Sequence, residues 1–424
     1  MHVCCRWRSL VLGSPHRLNL RLICTSKTPT RDTLGVWPAF PLIIQCFDDF
    51  RMVKVDDIIA VLERSNRVCQ INLEVSRSPL EKVWAAMQVP FPELTSLRVA
   101  SNDKMVAALP DSFLGGSALR LQDLKLNGIP FPGLRNLLLS ATHLVDLSLY
   151  DIPHSGYISP SAMVTALSAL TSLRKLHLGF QSPLSRPDRA SRRPPSSTRL
   201  VLPVLTHFRF KGVGEYLDDL VASIDAPQLS LQITFFNQII FDTPQLIQFI
   251  SRTPTLKAPE TARVIFKYGI YGATASIELS SRTSVPGQLK VAIPCENLDW
   301  QVSSLEQVCT SCLPPLSTLE VLYITGRRYG LYGKDSIENT MWLELLRPFI
   351  AVKKLYLSEL YARLIARALQ ELVGGRTTEV LPSLQNIFLE RLQTSGPVQV
   401  GIRQFVTMRQ ASHPIVVSPW DGDY

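Results

Sequence analysis

The residue types with the most reactive chemistry in this chain are its cysteines, and two of them have metal or redox spacing. Cys309-x-x-Cys312 would present two thiols to a zinc ion or to a reversible disulfide. A zinc site needs further ligands, and no second pair or nearby histidine completes one. The pair falls in a predicted helix, Ser303–Cys312, so we expect buried, reduced cysteines in an intracellular protein, cytoplasmic or nuclear. We therefore expect no metal and no cofactor.

Two other patterns suggest chemistry, and each has a simpler structural explanation. His154-Ser155-Gly156 sets a base beside a nucleophile, but neighbours on a turn rarely face each other and no orienting carboxylate is identifiable. Gly374-Gly375-Arg376 resembles an anion-binding loop, but the C-terminal end of the predicted helix before it has the wrong dipole for an anion. We expect a polar turn and a helix cap at these positions. Because the common catalytic motifs are missing as well, we predict no catalytic residues and no enzyme activity.

Leucines at a returning spacing dominate the chain. A Leu-x-x-Leu-x-Leu pattern, with Val or Ile as substitutes, recurs about every 23 to 33 residues within each half. Each copy predicts a short strand whose alternate side chains enter a core, with Leu147 and Leu355 fully buried. The predicted fold class is α/β, a leucine-rich-repeat solenoid that is horseshoe-like and irregular, with parallel strands on its concave side. The copies are Leu94–Val99, Leu121–Leu126, Leu144–Leu149, Leu173–Leu178, Leu319–Ile324, Val352–Leu357 and Leu384–Leu389.

Composition along the chain divides it into segments. Ser182–Arg199 is rich in Pro, Ser and Arg and predicts a disordered basic surface loop. Ser185 and Ser191 lie beside arginines there, which leaves open a regulatory role or an acidic partner for this loop. The segments are a basic helical start (1–23), a connector (24–55), a first repeat array (56–253), irregular β-rich repeats (254–318), and a second array with a C-terminal cap (319–424).

The formal net charge of +9 is concentrated in two places. Residues 1–31 carry six basic and no acidic side chains, and residues 182–199 carry five arginines and one aspartate. The repeats themselves therefore have no basic stripe, which argues against a nucleic-acid partner. No segment approaches the roughly 20 apolar residues that cross a membrane, so we expect no membrane partner. The Arg-rich, acid-free start also fits a mitochondrial transit peptide, which remains an alternative.

The first residues carry a resemblance to a known family. Met1–Pro15 has a Val-Cys-x-x-Trp core followed by Ser-Pro, and it resembles the last helix of an F-box. The rest of the chain resembles the fungal, basidiomycete-type F-box proteins with leucine-rich repeats. The stretches that carry this resemblance are Phe91–Leu94, Phe131–Leu134, Leu139–Leu144, Gly156–Ser159, Asp299–Gln301, Leu343–Leu346, Leu369–Leu372 and Leu381–Leu384.

The resemblance implies a substrate receptor of an SCF-type cullin-RING ubiquitin ligase. In such proteins the F-box docks on a small Skp-type adaptor and the repeats capture a protein target. By the same resemblance, Trp7, Leu10 and Val11 are adaptor-binding candidates. The Leu-Pro start of an F-box and its first two helices do not precede Met1, so we expect residues 1–23 to be a remnant that caps the first repeat near Ile58–Leu62 and fails to hold the adaptor. The alternative is a repeat scaffold that binds protein without recruiting a ligase.

If the repeats bind a protein target, the contacts come from strand residues that point away from the leucines. Side chains alternate along a strand, so the positions between buried residues face solvent. Aromatic and arginine side chains are the usual anchors of protein interfaces. The partner-binding candidates are Arg98, Lys125, Asp146, Ser148, His177, Arg209, Tyr323, Tyr356 and Phe388.

Overall fold

Two compact units make up the computed structural model of this chain. Unit 1 comprises Met1–Arg193 and Leu200–Leu205, and unit 2 comprises Pro194–Arg199 and Thr206–Tyr424. The structure describes residues 4–6, 9, 13, 21–25, 34, 39–46, 55–101, 103, 108–131, 134–187, 198–236, 241–269, 272–281, 287–327, 338–372, 378–391, 397–409 and 414–421.

Parallel strands in chain order form the sheet of unit 1. The predicted register is confirmed here: Leu124 lies opposite Leu97 on one neighbouring strand and Leu147 on the other, and all three are fully buried. The strands of this sheet are β1 (Leu22–Thr25), β2 (Leu42–Cys46), β3 (Val68–Glu74), β4 (Ser96–Ala100), β5 (Asp123–Asn127), β6 (Asp146–Ile152) and β7 (Lys175–Phe180). A further short strand of unit 1, β8 (Leu200–Val201), lies outside this sheet.

Helices connect several of these strands. One of them begins at Pro160, where the Ser159 hydroxyl accepts a 3.2 Å hydrogen bond from the Ala162 N–H and Pro160 occupies the first turn. The helices of unit 1 are α1 (Val55–Leu62), α2 (Arg77–Ala86), α3 (Leu134–Ser140) and α4 (Pro160–Leu167), with short 3-10 turns at Phe113–Gly116 and His154–Gly156.

Unit 2 contains a similar strand-and-helix array with an antiparallel insertion. Its strands are β9 (His207–Gly212), β10 (Ile224–Asp225), β11 (Ser230–Phe235), β12 (Thr261–Gly269), β13 (Gly272–Ser280), β14 (Gln288–Pro294), β15 (Val321–Arg327), β16 (Lys354–Leu357), β17 (Asn386–Glu390) and β18 (Val416–Trp420). Its helices are α5 (Gly214–Val221), α6 (Pro244–Arg252), α7 (Leu298–Ser311), α8 (Asn339–Leu346), α9 (Glu359–Gln370) and α10 (Pro397–Arg409).

The segment expected to hold irregular repeats is the antiparallel insertion. Strand β13 pairs antiparallel with both β12 and β14, while β11 pairs parallel with β14 and β12 pairs parallel with β15. Val264, Ile277 and Val291 lie opposite one another and are fully buried, so the insertion keeps the same face towards the core. The solvent-facing side of the sheet therefore continues across it, from β9 to β18.

Two arginines, one buried and one partly buried, join neighbouring repeats of unit 2. Arg409 of α10 is fully buried and donates to the carbonyl oxygens of Leu381 at 2.8 Å and Pro382 at 2.6 Å. Arg252 of α6 donates in the same way to the carbonyls of Val221 and Ile224. Carbonyl oxygens at helix ends and tight turns lack a hydrogen-bond donor in their own element. The guanidinium groups of the following repeat provide these donors.

Candidate functional site

The partner-binding candidates of unit 1 all lie on the solvent-facing side of its sheet, and most share one row. Arg98 lies opposite Lys125, Lys125 opposite Ser148, and Ser148 opposite His177, on consecutive parallel strands. Asp146 belongs to the adjacent row, opposite Asp123 and Lys175.

Asp123, which sequence reasoning missed, organises the charges of this face. Its Oδ2 accepts from the Arg98 guanidinium at 2.7 and 2.9 Å and from the Ser96 hydroxyl at 3.1 Å. The Lys125 ammonium lies 3.6 Å from Asp123 and 3.4 Å from Asp146, so it bridges the two carboxylates. These four residues occupy two adjacent register positions of the sheet, and together we call them the ionic row: Arg98, Asp123, Lys125 and Asp146. Its charges compensate one another within the sheet.

The two remaining candidates of unit 1 also have partners within the unit. The Ser148 hydroxyl is buried and donates to the Asp146 carboxylate at 2.8 Å. The His177 ring packs against Tyr150 with 3.9 Å between ring centroids. Ser148, His177 and Asp146 are thus neighbours on the sheet, with the Ser148 hydroxyl bound to Asp146.

In unit 2 the corresponding row ends in stacked aromatic rings. Tyr323, Tyr356 and Phe388 lie opposite one another on β15, β16 and β17. The ring centroids of Tyr323 and Tyr356 are 4.4 Å apart with 19° between planes, and those of Tyr356 and Phe388 are 4.3 Å apart with 8°. Paired strands lie about 4.8 Å apart, so rings at one register position stack almost in contact. These three residues are the aromatic ladder.

Two residues missed by sequence reasoning border the aromatic ladder. The Arg263 guanidinium, opposite Tyr323 on β12, lies over the Tyr323 ring at 5.2 Å from its centroid. The Trp420 ring, from β18, lies edge-on to Tyr356 with 5.5 Å between centroids and 6.0 Å from Tyr323. Arg263 sits in the insertion, which has no leucine pattern to reveal its face. Trp420 follows the last copy of the leucine pattern, Leu384–Leu389, so that pattern does not reveal it.

Beyond Arg263 the same row becomes charged and polar. Glu278 lies opposite Arg263 and accepts from the Lys290 ammonium at 2.6 Å. Arg209, the remaining candidate, lies on β9, two strands beyond the strand β14 that carries Lys290. It donates to the Gln232 side chain at 3.0 Å. The structure therefore brings Tyr323, Tyr356 and Phe388 together and leaves Arg209 apart from them.

The cysteine pair with metal or redox spacing is buried near the end of α7. Cys309 and Cys312 are buried, as predicted, and burial is the main reason that both thiol pKa values are raised, that of Cys312 to about 12. A raised pKa keeps a thiol protonated and unreactive at neutral pH. Within the described ranges, no group of three or more His, Cys, Asp or Glu side chains could hold a metal ion. No described helix has the length and apolar character needed to cross a bilayer.

The other patterns from the sequence have mixed outcomes. His154 lies in a short 3-10 turn, in place of the simple polar turn expected, and its Nδ1 is 3.5 Å from the Ser185 hydroxyl. Ser185 is itself buried, so in this conformation its hydroxyl is not open to a modifying enzyme. The adaptor-binding candidates Trp7, Leu10 and Val11, together with Ser191 and Gly374–Arg376, lie outside the described residues.

Comparison with known proteins returns little. No family model matches this chain, and no curated protein is similar to it. Among solved structures, the chain is similar to the leucine-rich repeat-containing protein LegL7 from Legionella pneumophila, at 13% identity and a TM-score of 0.29, over 79% of this chain and 97% of that one. A likeness this weak carries no argument about function.

Proposed function

We propose that this chain is a protein-interaction module and that the aromatic ladder of unit 2 is its main contact surface. The observation that carries the proposal is a set of three stacked aromatic rings left half-buried on the solvent-facing side of the sheet. Large aromatic side chains that remain accessible on a rigid surface are typical anchors of protein interfaces, because covering them removes much apolar area from water.

The geometry of the rings favours a polypeptide over a nucleobase or a sugar. Both faces of Tyr356 are covered, one by Tyr323 and the other by Phe388. A base or a sugar ring stacks on an exposed aromatic face, which Tyr356 does not offer. What Tyr356 offers to a partner is its ring edge, and side chains of a protein partner can pack against ring edges.

The ionic row of unit 1 is a weaker candidate for the same role. Arg98 and Lys125 already bind Asp123 and Asp146, so a partner would have to replace these contacts. Exchanging one ion pair for another in water changes the free energy little. We therefore assign the main binding energy to unit 2.

The test is a selection of displayed random peptides on purified protein. We expect enrichment on the unaltered chain and about tenfold weaker binding of the selected peptides to the Tyr323→Ala/Tyr356→Ala variant. The control is Trp300→Ala, which removes an aromatic side chain that is 53% exposed on α7. Both variants should unfold within a few degrees of the unaltered protein.

Two outcomes would contradict the proposal. Equal binding by the double variant would exclude the aromatic ladder as the contact surface. Failure of the double variant to fold would show that Tyr323 and Tyr356 belong to the core. A milder variant, Phe388→Leu, then distinguishes loss of binding from loss of fold, because it keeps most of the apolar volume.

The finer proposal is that the repeats deliver targets to an SCF-type cullin-RING ubiquitin ligase. Its support is the resemblance of Met1–Pro15 to the end of an F-box, carried by Trp7, Leu10 and Val11. The test is co-purification with a Skp-type adaptor, with the chain alone and with a fusion that supplies the first part of an F-box, and we expect the fusion to bind it. Failure of the fusion would favour the plain repeat scaffold. Stoichiometric capture by the unaltered chain would support the receptor directly.

A further inference from the structure

The aromatic ladder lies on a face with a surplus of exposed cations. Lys354 precedes Tyr356 by two residues on the same strand, so it points to the same side, and it is exposed. Lys267 and Arg209 are exposed on the same face, on β12 and β9. Neither the Lys354 nor the Lys267 ammonium forms an ion pair with any residue in the described part of the chain.

The acidic residues of this face are already engaged. Within the described strands β9 and β11 to β18, alternation places two carboxylates on the solvent-facing side, Glu278 and Glu390. Glu278 accepts from the Lys290 ammonium. Glu390 accepts from the Glu359 backbone N–H at the start of α9, at 3.2 Å, and keeps its negative charge. The cations on the same side outnumber these two carboxylates, so the sheet itself does not neutralise the positive charge; they include Arg209, Arg263, Lys267, Lys290 and Lys354.

Trp420 shows which side chain the aromatic ladder accepts. Its indole ring packs edge-on against Tyr356, with 76° between the planes, and it also contacts Tyr323. An aromatic side chain from a partner can meet the remaining ring edges in the same geometry, which is favourable because ring edges and faces carry opposite partial charge.

We propose, resting on the function proposed above, that the partner is an acidic polypeptide segment that presents an aromatic side chain between carboxylates. The aromatic side chain packs on the edges of Tyr356 and Phe388, and a neighbouring carboxylate pairs with the Lys354 ammonium. A second carboxylate further along the segment faces the exposed Lys267. The charge surplus excludes basic segments, since like charges would be brought together on binding.

The probes are three fluorescein-labelled synthetic peptides on one Gly-Ser background. The first has a central tryptophan with two aspartates on each side, the second has lysines for the aspartates, and the third has alanine for the tryptophan. Fluorescence anisotropy measures their binding to the full chain at low and high salt. We expect the first peptide to bind about tenfold more tightly than either of the others, with a preference over the lysine peptide that shrinks in high salt.

Two charge-reversal variants separate local recognition from general charge. Lys354→Glu should remove the preference for the aspartate peptide. Its matched control, Lys257→Glu, makes the same change of net charge at an exposed residue that follows α6 and lies outside the strands, and it should keep the preference. Equal effects of the two variants would overturn the inference.

The outcomes also distinguish this inference from the function it rests on. If peptides with tryptophan bind equally with aspartate or lysine, and Tyr356→Ala weakens both, then the aromatic ladder binds protein but the acidic partner is wrong. If none of the three peptides binds although random peptides are selected, the acidic-aromatic motif is wrong. If a single-stranded oligonucleotide displaces the aspartate peptide and binds more tightly itself, the polypeptide class is wrong.

Discussion

The solvent-facing sides of the two units carry different kinds of side chain on similar strands. In unit 1 the row around Asp123 is ionic, and its charges bind one another through Arg98 and Lys125. In unit 2 the row around Tyr356 is aromatic, and its rings stack. An ionic row lowers its own free energy without a partner, whereas a stacked row still exposes apolar edges to water. The comparison shows that equivalent strand positions can carry either charges that pair with one another or rings that leave apolar edges in water.

A charge placed in the core should destabilise the two units alike, and we expect this substitution to lower the free energy of unfolding more than any other. Leu147 of unit 1 and Leu355 of unit 2 are each fully buried. Leu→Asp at either position places an unpaired charge in the core, so we expect a loss of several kcal/mol, comparable with the whole stability of many domains. Circular dichroism and solubility measure the outcome. A soluble, cooperatively folding Leu355→Asp variant would contradict the repeat register of unit 2.

Replacing a buried arginine of unit 2 should cost much more stability than replacing an exposed arginine of unit 1. Arg409→Met leaves the carbonyls of Leu381 and Pro382 without their donors inside the protein, and we expect a loss of about 2 to 4 kcal/mol in urea unfolding. Arg98→Met removes a guanidinium that is 47% exposed, and we expect a loss of at most about 1 kcal/mol. Similar losses for the two variants would break the distinction between buried and surface arginines.

The stability contributed by the ionic row should depend on salt concentration, whereas that contributed by the aromatic ladder should not. Asp123→Asn removes the charge shared by Arg98 and Lys125, so we expect a loss of about 1 kcal/mol that shrinks in high salt. Phe388→Leu removes a ring stack, and we expect a similar loss that does not depend on salt. The measurement is the unfolding free energy at two ionic strengths. A salt-dependent effect at Phe388 would contradict the uncharged nature of the aromatic ladder.

The smallest effect concerns a carboxyl on the helical side of unit 2. Burial, and then the charge of Glu344, raise the pKa of Glu306 above its ordinary 4.5. The folded state therefore holds this proton more tightly, and the free energy of unfolding falls as pH rises from the unfolded to the folded pKa. Glu306→Gln removes this penalty, so the variant should gain stability relative to the unaltered protein at pH 7 and lose that gain in acid. A gain independent of pH would exclude titration as its cause.

Much of the repeat architecture follows from the sequence alone. The leucine spacing predicts β4 to β7 and β15 to β17 in the correct register, because alternation fixes which side chains are buried once a strand is recognised. The same alternation predicts that Tyr323, Tyr356 and Phe388 face solvent. The insertion at β12 to β14 escapes this reasoning, since a hairpin depends on long-range pairing that the repeat pattern does not encode.

Only the tertiary structure decided how the surface residues act on one another. The sequence places Tyr323, Tyr356 and Phe388 some thirty residues apart, and their stacking exists because parallel strands bring equal register positions to about 4.8 Å. The same holds for Asp123 between Arg98 and Lys125, and for Trp420 against Tyr356. Side-chain type and face are local properties that a sequence carries in its spacing. Distances between repeats depend on strand pairing and on rotamers, so they are set when the sheet assembles.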